Sequence, residues 1–281
     1  MRDGERAVYI ARAAQIPWTL RELGRLRELT FREAREGTGK SCDLDDFDQT
    51  YLHMFSYDQR DQQIVGAYRL GLSDQLAIPN GLYTSTLFEL SPELFRRTGP
   101  AIEMGRSFVC ARYQRSASGL FLLWRGIGRF LSLHPQYRVL FGPVSISADY
   151  SPASRELMVD FVMAADRVHA LNRYVRPRTP FARVGRTTLF AGLGPGFQQL
   201  LDIEEVSQMV ADVEPDQKGV PVLFRQYLRL GGKLLGFNVD ARFSGVLDGL
   251  VLVDLTETDP KILARYLGAD AARLVTERPR L

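Results

Sequence analysis

Apolar positions recur along this chain with two periods, and the switches between them outline its elements. AVYIARA (7–13) alternates with period two and predicts a strand. Over TLRELGRLRELTFREAREG (19–37), Leu20, Leu23, Leu26, Leu29 and Phe31 fall on one helical stripe, with Thr19 as the cap and Gly37 as the stop. An acidic loop, KSCDLDDFDQ, follows. YLHMFSYD and QIVGAYRLGL then read as two strands of a hairpin joined across the polar turn 58–63. After a loop holding Pro79, Asn80 and Gly81, a short helix is expected at SPELFRR and a strand at AIEMGRSFVC (101–110). SGLFLLWRGIGRFLSLHP (118–135) predicts a long helix stopped by Pro135, and YRVLFGPVSIS (137–147) a strand buried on both faces. SRELMVDFVMAADRVHALNRY and GFQQLLDIEEVSQMVADV read as helices around an arginine-rich, proline-broken stretch. PVLFRQYLRLGG is a helix, KLLGFNVD and DGLVLVDL are strands, and TDPKILARYLG is a last helix. Strands and helices alternate, so the class is α/β. One domain is expected over 1–281, with a core of 7–150 and 219–268 and a helical, arginine-rich insertion at 151–218.

Charges inside this pattern mark candidate chemistry. Glu103 and Arg106 lie three positions apart in an apolar strand, which would put them on opposite faces. A β-bulge at Gly105 would bring them to one face and free backbone groups for an extended ligand. A solvent-facing salt bridge on an edge strand is the alternative. Arg69 sits between apolar neighbours in IVGAYRLG and needs a partner or a ligand. Asp45 and Asp48 in the acidic loop are candidate partners, or simply solvated. Arg27 and Phe31 share a helix face at i, i+4. Arg112, Arg115, Ser118 and Gly119 lie in a polar loop leading from a strand into a helix N-terminus, the arrangement of a phosphate site or of a plain helix cap.

The bulk figures exclude more than they select. With 281 residues, a net charge of +3 and 45% hydrophobic residues, the chain reads as a soluble globular protein with no demand for nucleic acid. Its two cysteines form no zinc or disulfide pattern and its three histidines are scattered, so no metal site is expected and a reducing cytoplasm fits. MRDGERAVYIARAAQ lacks the apolar region of a signal peptide, and no run is long enough to span a bilayer. Between 166 and 186, six arginines face one acid, Asp166. Such a patch would attract an acidic carrier protein or an anionic leaflet.

The order strand, helix, acidic loop, hairpin, bulged strand, phosphate-type loop, helix, strand resembles the GNAT acyltransferase fold: a mixed central sheet with a bulged central strand, flanked by helices. Arg27 with Phe31, Asp45 with Asp48, Arg69, and Glu103 with Arg106 resemble the signature of acyl-homoserine-lactone synthases. The early tryptophan of that signature has no counterpart in REGTGKSCD. IVGAYRL, EMGRSFV, LLWRGIGRFL and LFGPVSIS resemble more closely the ornithine-lipid N-acyltransferases and hemolysin-like N-acyltransferases, over residues 7–268. The resemblance implies transfer of a long-chain fatty acyl group, 3-hydroxylated or not, to the α-amine of an amino acid such as ornithine. The donor would be a phosphopantetheine thioester on acyl carrier protein, and no cofactor would be held permanently. Glu103, Arg106 and Arg69 would be catalytic. Arg27, Phe31, Asp45, Asp48, Phe108, Arg112, Arg115, Ser118 and Gly119 would bind donor or substrate. Location would be cytoplasmic, with peripheral contact to the inner face of the membrane. The alternatives are a coenzyme A-dependent N-acetyltransferase and a hemolysin-like lipid-binding module without turnover.

Overall fold

The structure is a computed structural model that describes residues 1–114, 118–164, 166–182, 201–243 and 245–277. Strands β1 (Arg2–Asp3) and β2 (Arg6–Arg12) precede helix α1 (Pro17–Glu33), and β3 (Leu52–Asp58) and β4 (Gln63–Leu72) form the hairpin. Next come β5 (Phe88–Leu90), α2 (Pro92–Thr98), β6 (Ala101–Val109), α3 (Ala111–Gln114), α4 (Ser118–Leu133) and β7 (Val139–Ile146). The second half holds α5 (Pro152–Val162), β8 (Val175–Pro177), α6 (Ile203–Val213), α7 (Val222–Arg229), β9 (Lys233–Asp240), β10 (Val246–Asp254), α8 (Pro260–Leu267) and α9 (Ala269–Thr276).

Several boundaries differ from the sequence expectation, each for a local reason. Helix α1 begins at Pro17, whose fixed φ and missing N–H suit a first turn, so Thr19 lies inside the helix rather than capping it. It ends at Glu33 because Arg35 turns to φ 58°, four residues after Phe31 and before Gly37 is reached. The helix expected over 154–174 stops at Val162. Beyond it the chain is drawn to the edge of β9, where Leu234 N–H donates to Arg167 at 2.8 Å and His169 N–H donates to Leu234 at 2.9 Å. β8 then pairs with β5 in a separate two-stranded sheet. The expected helix over 196–213 begins at Ile203, capped by the Asp202 carboxylate, and its residues 196–200 lie outside the described residues. The last expected helix ends at Gly268, with φ 92°, and a further helix, α9, follows it.

The main sheet runs β1-β2-β3-β4-β6-β7-β10-β9 and is antiparallel except where β6 meets β7. That parallel pair is joined by α4 as a crossover. It lasts three residues, Ala101–Glu103 against Val139–Phe141. Beyond Glu103 and Phe141 the strands part: β6 stays with β4, while β7 stays with β10 to Ile146. At the point of parting, Gly142 lets the strands touch, since a Cβ there would sit 2.2 Å from the Met104 carbonyl oxygen. The result is a mixed sheet opened as a V at its centre.

Each face of the sheet has its own cover. Helices α4, α8 and α9 pack on one face around Trp124, which is fully buried and makes edge contacts with Tyr68, Tyr227 and Tyr266 at 5.6–6.3 Å. Gly128 of α4 admits the Leu267 backbone, which a Cβ would meet at 2.2 Å. On the other face, α1 packs through Leu23 against Phe55, Ile64, Ala67 and Phe108. Among the described residues no helix is long and apolar enough to cross a membrane.

Because Gly142 faces backbone rather than a movable side chain, Gly142→Ala is expected to force β6 and β7 apart and cost about 1–3 kcal/mol. Urea unfolding measures this; an unchanged midpoint would mean the strands separate without strain.

Candidate functional site

Cross-strand register decides which charges meet. Arg69 of β4 stands opposite Gly105 of β6, and Gly71 opposite Glu103, so Arg69 and Glu103 share the face turned to α1. The register then slips: Ala67 faces Phe108 and Arg69 faces Gly105, leaving Arg106 and Ser107 opposite Tyr68 alone. The bulge therefore opens one residue later than the sequence suggested. Arg106 itself, not Gly105, takes the left-handed backbone, at φ 47°. That costs a non-glycine residue of order 1 kcal/mol or more. It also turns the Arg106 side chain to the same side as Arg69.

The acidic loop reaches these arginines because α1 holds it at both ends. Glu28, almost fully buried, accepts from Thr38 N–H at 2.9 Å, Thr38 Oγ1 at 2.6 Å, Gly39 N–H at 3.0 Å and Arg32 at 2.7 Å. Burial opposes its charge, but these bonds win and take its pKa down to about 2. Further along, Asp43 N–H donates to Gly24 at 3.0 Å, and a Cβ on Gly24 would strike Cys42 and Leu44.

Three aspartates then meet three arginines. Arg27 forks onto Asp48 with two bonds of 3.0 Å and donates to the Asp43 carbonyl. Arg69 donates to Asp45 and lies 3.3 Å from Asp48. Arg106 lies 3.3 Å from Asp43 and 3.4 Å from Asp45. Arg27, Arg69, Asp43 and Asp48 are all buried to 98% or more. Burial would raise the Asp48 pKa, but the bonds and charge of Arg27, with the charge of Arg69, hold it below the ordinary value. The Arg69 guanidinium also lies 5.1–5.8 Å from the ring centres of Phe47, Tyr51 and Tyr83, and Arg106 lies 5.0 Å from that of Tyr83. Asp43 was missed in the sequence because it precedes the DxxD spacing and nothing local marks it as inward.

Glu103 is enclosed. Its carboxylate accepts from Thr84 N–H at 2.6 Å, Thr84 Oγ1, Tyr83 N–H at 3.2 Å and the Tyr51 hydroxyl. All its usual acceptor positions are thus filled. Burial raises its pKa against those bonds. The Tyr51 hydroxyl also accepts from Tyr83 N–H at 2.8 Å, and burial with the Glu103 charge raises its pKa in turn. Tyr51, Tyr83 and Thr84 had no sequence signal; each is polar in a segment that reads as strand or loop.

The remaining expected residues are scattered around this centre. Phe31 and Phe108 pack in the apolar cluster under α1. Arg112, half exposed, bonds Asp61 and Gln63 at 2.6 Å, and Ser118 Oγ accepts from Arg6 at 3.2 Å. Gly119 lets α4 approach Val109 and Val65. Arg115 lies outside the described residues, as do Arg183 and Arg186 of the arginine-rich stretch. In that stretch Arg167 is turned inward to the Leu201 carbonyl at 2.9 Å, and Arg178 bonds Ser85 at 2.9 Å, while Arg173 and Arg176 are exposed.

Residues 26–125, which span the arginine–aspartate network, β6 with its bulge and the start of α4, match the acetyltransferase (GNAT) domain family. This stretch is a GNAT domain. The chain is 32% identical over 169 residues to the glycine N(alpha)-acyltransferase of Bacteroides thetaiotaomicron, covering 55% of this chain and 50% of that protein. It is 27% identical over 255 residues to the L-ornithine N(alpha)-acyltransferase of Rhizobium meliloti (88% and 78% covered), and 26% identical over 259 residues to that of Rhodobacter capsulatus (88% and 90%). The chain spans about half the length of the glycine N-acyltransferases it matches. A CoA-dependent acyl-homoserine lactone synthase overlaps it at 13% identity and a TM-score of 0.44, over 98% of this chain and 97% of that one. An aminoglycoside 6'-N-acetyltransferase complexed with coenzyme A overlaps it at 11% identity and a TM-score of 0.42, over 88% and 97%.

The GNAT domain's buried charges make a stability test. Arg69→Ala leaves Asp45 and Asp48 without its charge and should cost about 3–5 kcal/mol at pH 7. Asp48, with its lowered pKa, contributes stability that is complete above the ordinary aspartate range and lost as pH falls through the folded value. The gap between wild type and Arg69→Ala should therefore narrow below about pH 4. A gap of the same size at pH 7 and at pH 3 would show that lost packing, not charge, sets the cost.

Proposed function

We propose that this protein is an N-acyltransferase that moves a long-chain fatty acyl group from a phosphopantetheine thioester to the α-amine of an amino acid such as ornithine. The observation that carries this reading is the V: β6, which lies in the stretch that matches the GNAT domain family, parts from β7 just past Glu103, beside the buried arginines. The names of the relatives support amino acids as acceptors.

The parting of the strands suits a linear donor. A pantetheine arm lies along the β6 edge that β7 has left, and backbone N–H groups freed there and at the Arg106–Ser107 bulge hold the thioester oxygen as charge develops on it. The N-terminus of α4, with Arg112 six residues before it in the chain, holds the donor phosphate. The amine arrives protonated and must lose one proton before it attacks. Glu103, whose raised pKa makes it a competent acceptor, takes that proton through the Tyr51 hydroxyl, which already donates to it. The amine nitrogen then bonds the thioester carbon. The C–S bond breaks, and the leaving thiolate takes the second amine proton. Arg69 and Arg106, held by Asp45, Asp48 and Asp43, shape the acceptor side. Acyl carrier protein is the proposed donor, docking on the exposed Arg173 and Arg176, and the lyso-aminolipid product leaves toward the inner face of the membrane.

Purified protein given 3-hydroxyacyl carrier protein or the matching acyl-CoA, with ornithine or glycine, is expected to release free thiol and an N-acyl amino acid, fastest with the carrier protein. Glu103→Gln should reduce turnover by about 10²–10⁴-fold with the fold retained. Thiol release that needs no amine would overturn the transferase reading, and a Gln variant of near-normal rate would remove Glu103 as the proton acceptor.

A further inference from the structure

Across the V lies a second set of charges that the proposed chemistry leaves unused. Asp248 of β10 stands opposite Ser145 of β7 and Asn238 of β9, and Asp240 follows Asn238 by two residues, so both acids lie on one face. It is the face of Glu103, because Glu103 pairs with Phe141, four residues before Ser145 on the regular strand β7. Asp240 is 4% exposed and Asp248 5%.

Their partners leave charge uncompensated. Among the described residues the Asp248 carboxylate accepts a side-chain bond from a neutral hydroxyl alone, Ser145 Oγ at 2.8 Å. Asp240 Oδ1 accepts from Arg242 N–H at 2.9 Å and Nε at 3.3 Å, while its Oδ2 is buried and accepts nothing among the described residues. Burial first, then the charge of Asp240, pushes the Asp248 pKa up to about 7 against Ser145, Arg106 and Arg242. Glu36, in the turn after α1, is also pushed up to about 7, by its own burial and by Asp248. Asp240 is paired with Arg242, and Asp248 lies near Arg242 and the flank of Arg106, whose charge is already engaged by Asp43 and Asp45. Arg106 is the border between the two groups: its guanidinium lies 5.0 Å from the Tyr83 ring centre and 5.5 Å from that of Phe243, which follows Asp240 by three residues. No group of three His, Cys, Asp or Glu side chains among the described residues is spaced to hold a metal ion.

A buried carboxylate oxygen with no donor costs free energy, and a pair of like charges at close range adds to it. An ammonium group, with three N–H donors and one positive charge, cancels both costs. We propose that Asp240 and Asp248 form the subsite for the side-chain ammonium of a dibasic amino-acid acceptor. This rests on the acyltransferase reading above and narrows it: acceptors with a terminal cation, such as ornithine or lysine, are selected over glycine and over norvaline, the ornithine analogue with a methyl terminus. A site built around a charged partner rejects the analogue lacking it far more strongly than an apolar pocket rejects a missing methylene.

The test is competition between ornithine and norvaline at fixed acyl donor. Wild type is expected to favour ornithine by about 10²-fold or more in kcat/KM, and Asp240→Asn with Asp248→Asn to bring the ratio toward one while norvaline is acylated as before. Asp248 has a raised pKa, so Asp248→Asn alone should melt no lower than wild type at pH 8. Wild type supplies a second measurement that needs no variant. The ornithine preference should be full at pH 8 and fall as pH drops below about 7, where Asp248 takes up its proton. A wild type that acylates ornithine and norvaline alike, a ratio that survives the double substitution, or a preference unchanged from pH 8 to pH 6 would overturn the subsite and leave the acyltransferase reading standing. No N-acyl product from any of the amines would overturn that reading itself.

Discussion

Two buried arginines and a half-buried third, held by three aspartates, are the constraint on which the rest of this structure depends. Removing an ion from water costs several kcal/mol, and attraction at 3–4 Å returns about 4–5 kcal/mol in an effective dielectric near 20. The two nearly cancel, so the network adds little to net stability. What it adds is dependence: none of the four buried charges can stay so without the others. Asp43, Asp45 and Asp48 come from one loop, Arg27 from α1, Arg69 from β4 and Arg106 from the bulge of β6. The loop, the helix and two strands are therefore tied in one geometry beside the V, where a reacting group needs fixed surroundings.

The bulge and the V are complementary consequences of the same strand. β6 serves two neighbours, and it cannot match both along its whole length. It keeps β4 by inserting an extra residue at Arg106–Ser107, and it gives up β7 after Glu103. The first choice aims an arginine; the second leaves a backbone edge without a strand. Glu103 sits where the two meet, and the turn carrying Tyr83 and Thr84 closes over it. Its placement keeps a carboxylate in a dry environment without exposing it.

The two halves of the face differ in charge balance. On the β4 and β6 side, three arginines meet three aspartates. On the β9 and β10 side, acids outnumber the cations that touch them. A molecule with a terminal cation matches the polarity of the β9 and β10 side. Ordinary aliphatic and aromatic packing around Trp124 on the opposite face carries the stability against which such charges are held.

The sequence by itself determined the alternation of strands and helices, the hairpin, the long helix α4 and the presence of a bulge near Glu103, because each follows from local periodicity or from a charge where an apolar strand should be. It also named Arg27, Asp45, Asp48, Arg69, Glu103 and Arg106 as residues to watch. It could not say that Arg106 rather than Gly105 carries the left-handed turn, since register between β4 and β6 decides that. It could not single out Asp43, one of four aspartates within six residues, before the loop had docked on α1. Tyr51 and Thr84 reach Glu103 from 52 and 19 residues away, and Ser145 reaches Asp248 across 103. Pairings at such separations leave no trace in the spacing of one chain. Tertiary structure alone decided that Glu103 is enclosed and that two unremarkable strand aspartates end up buried together on its face, because only folding brings their strands into one sheet.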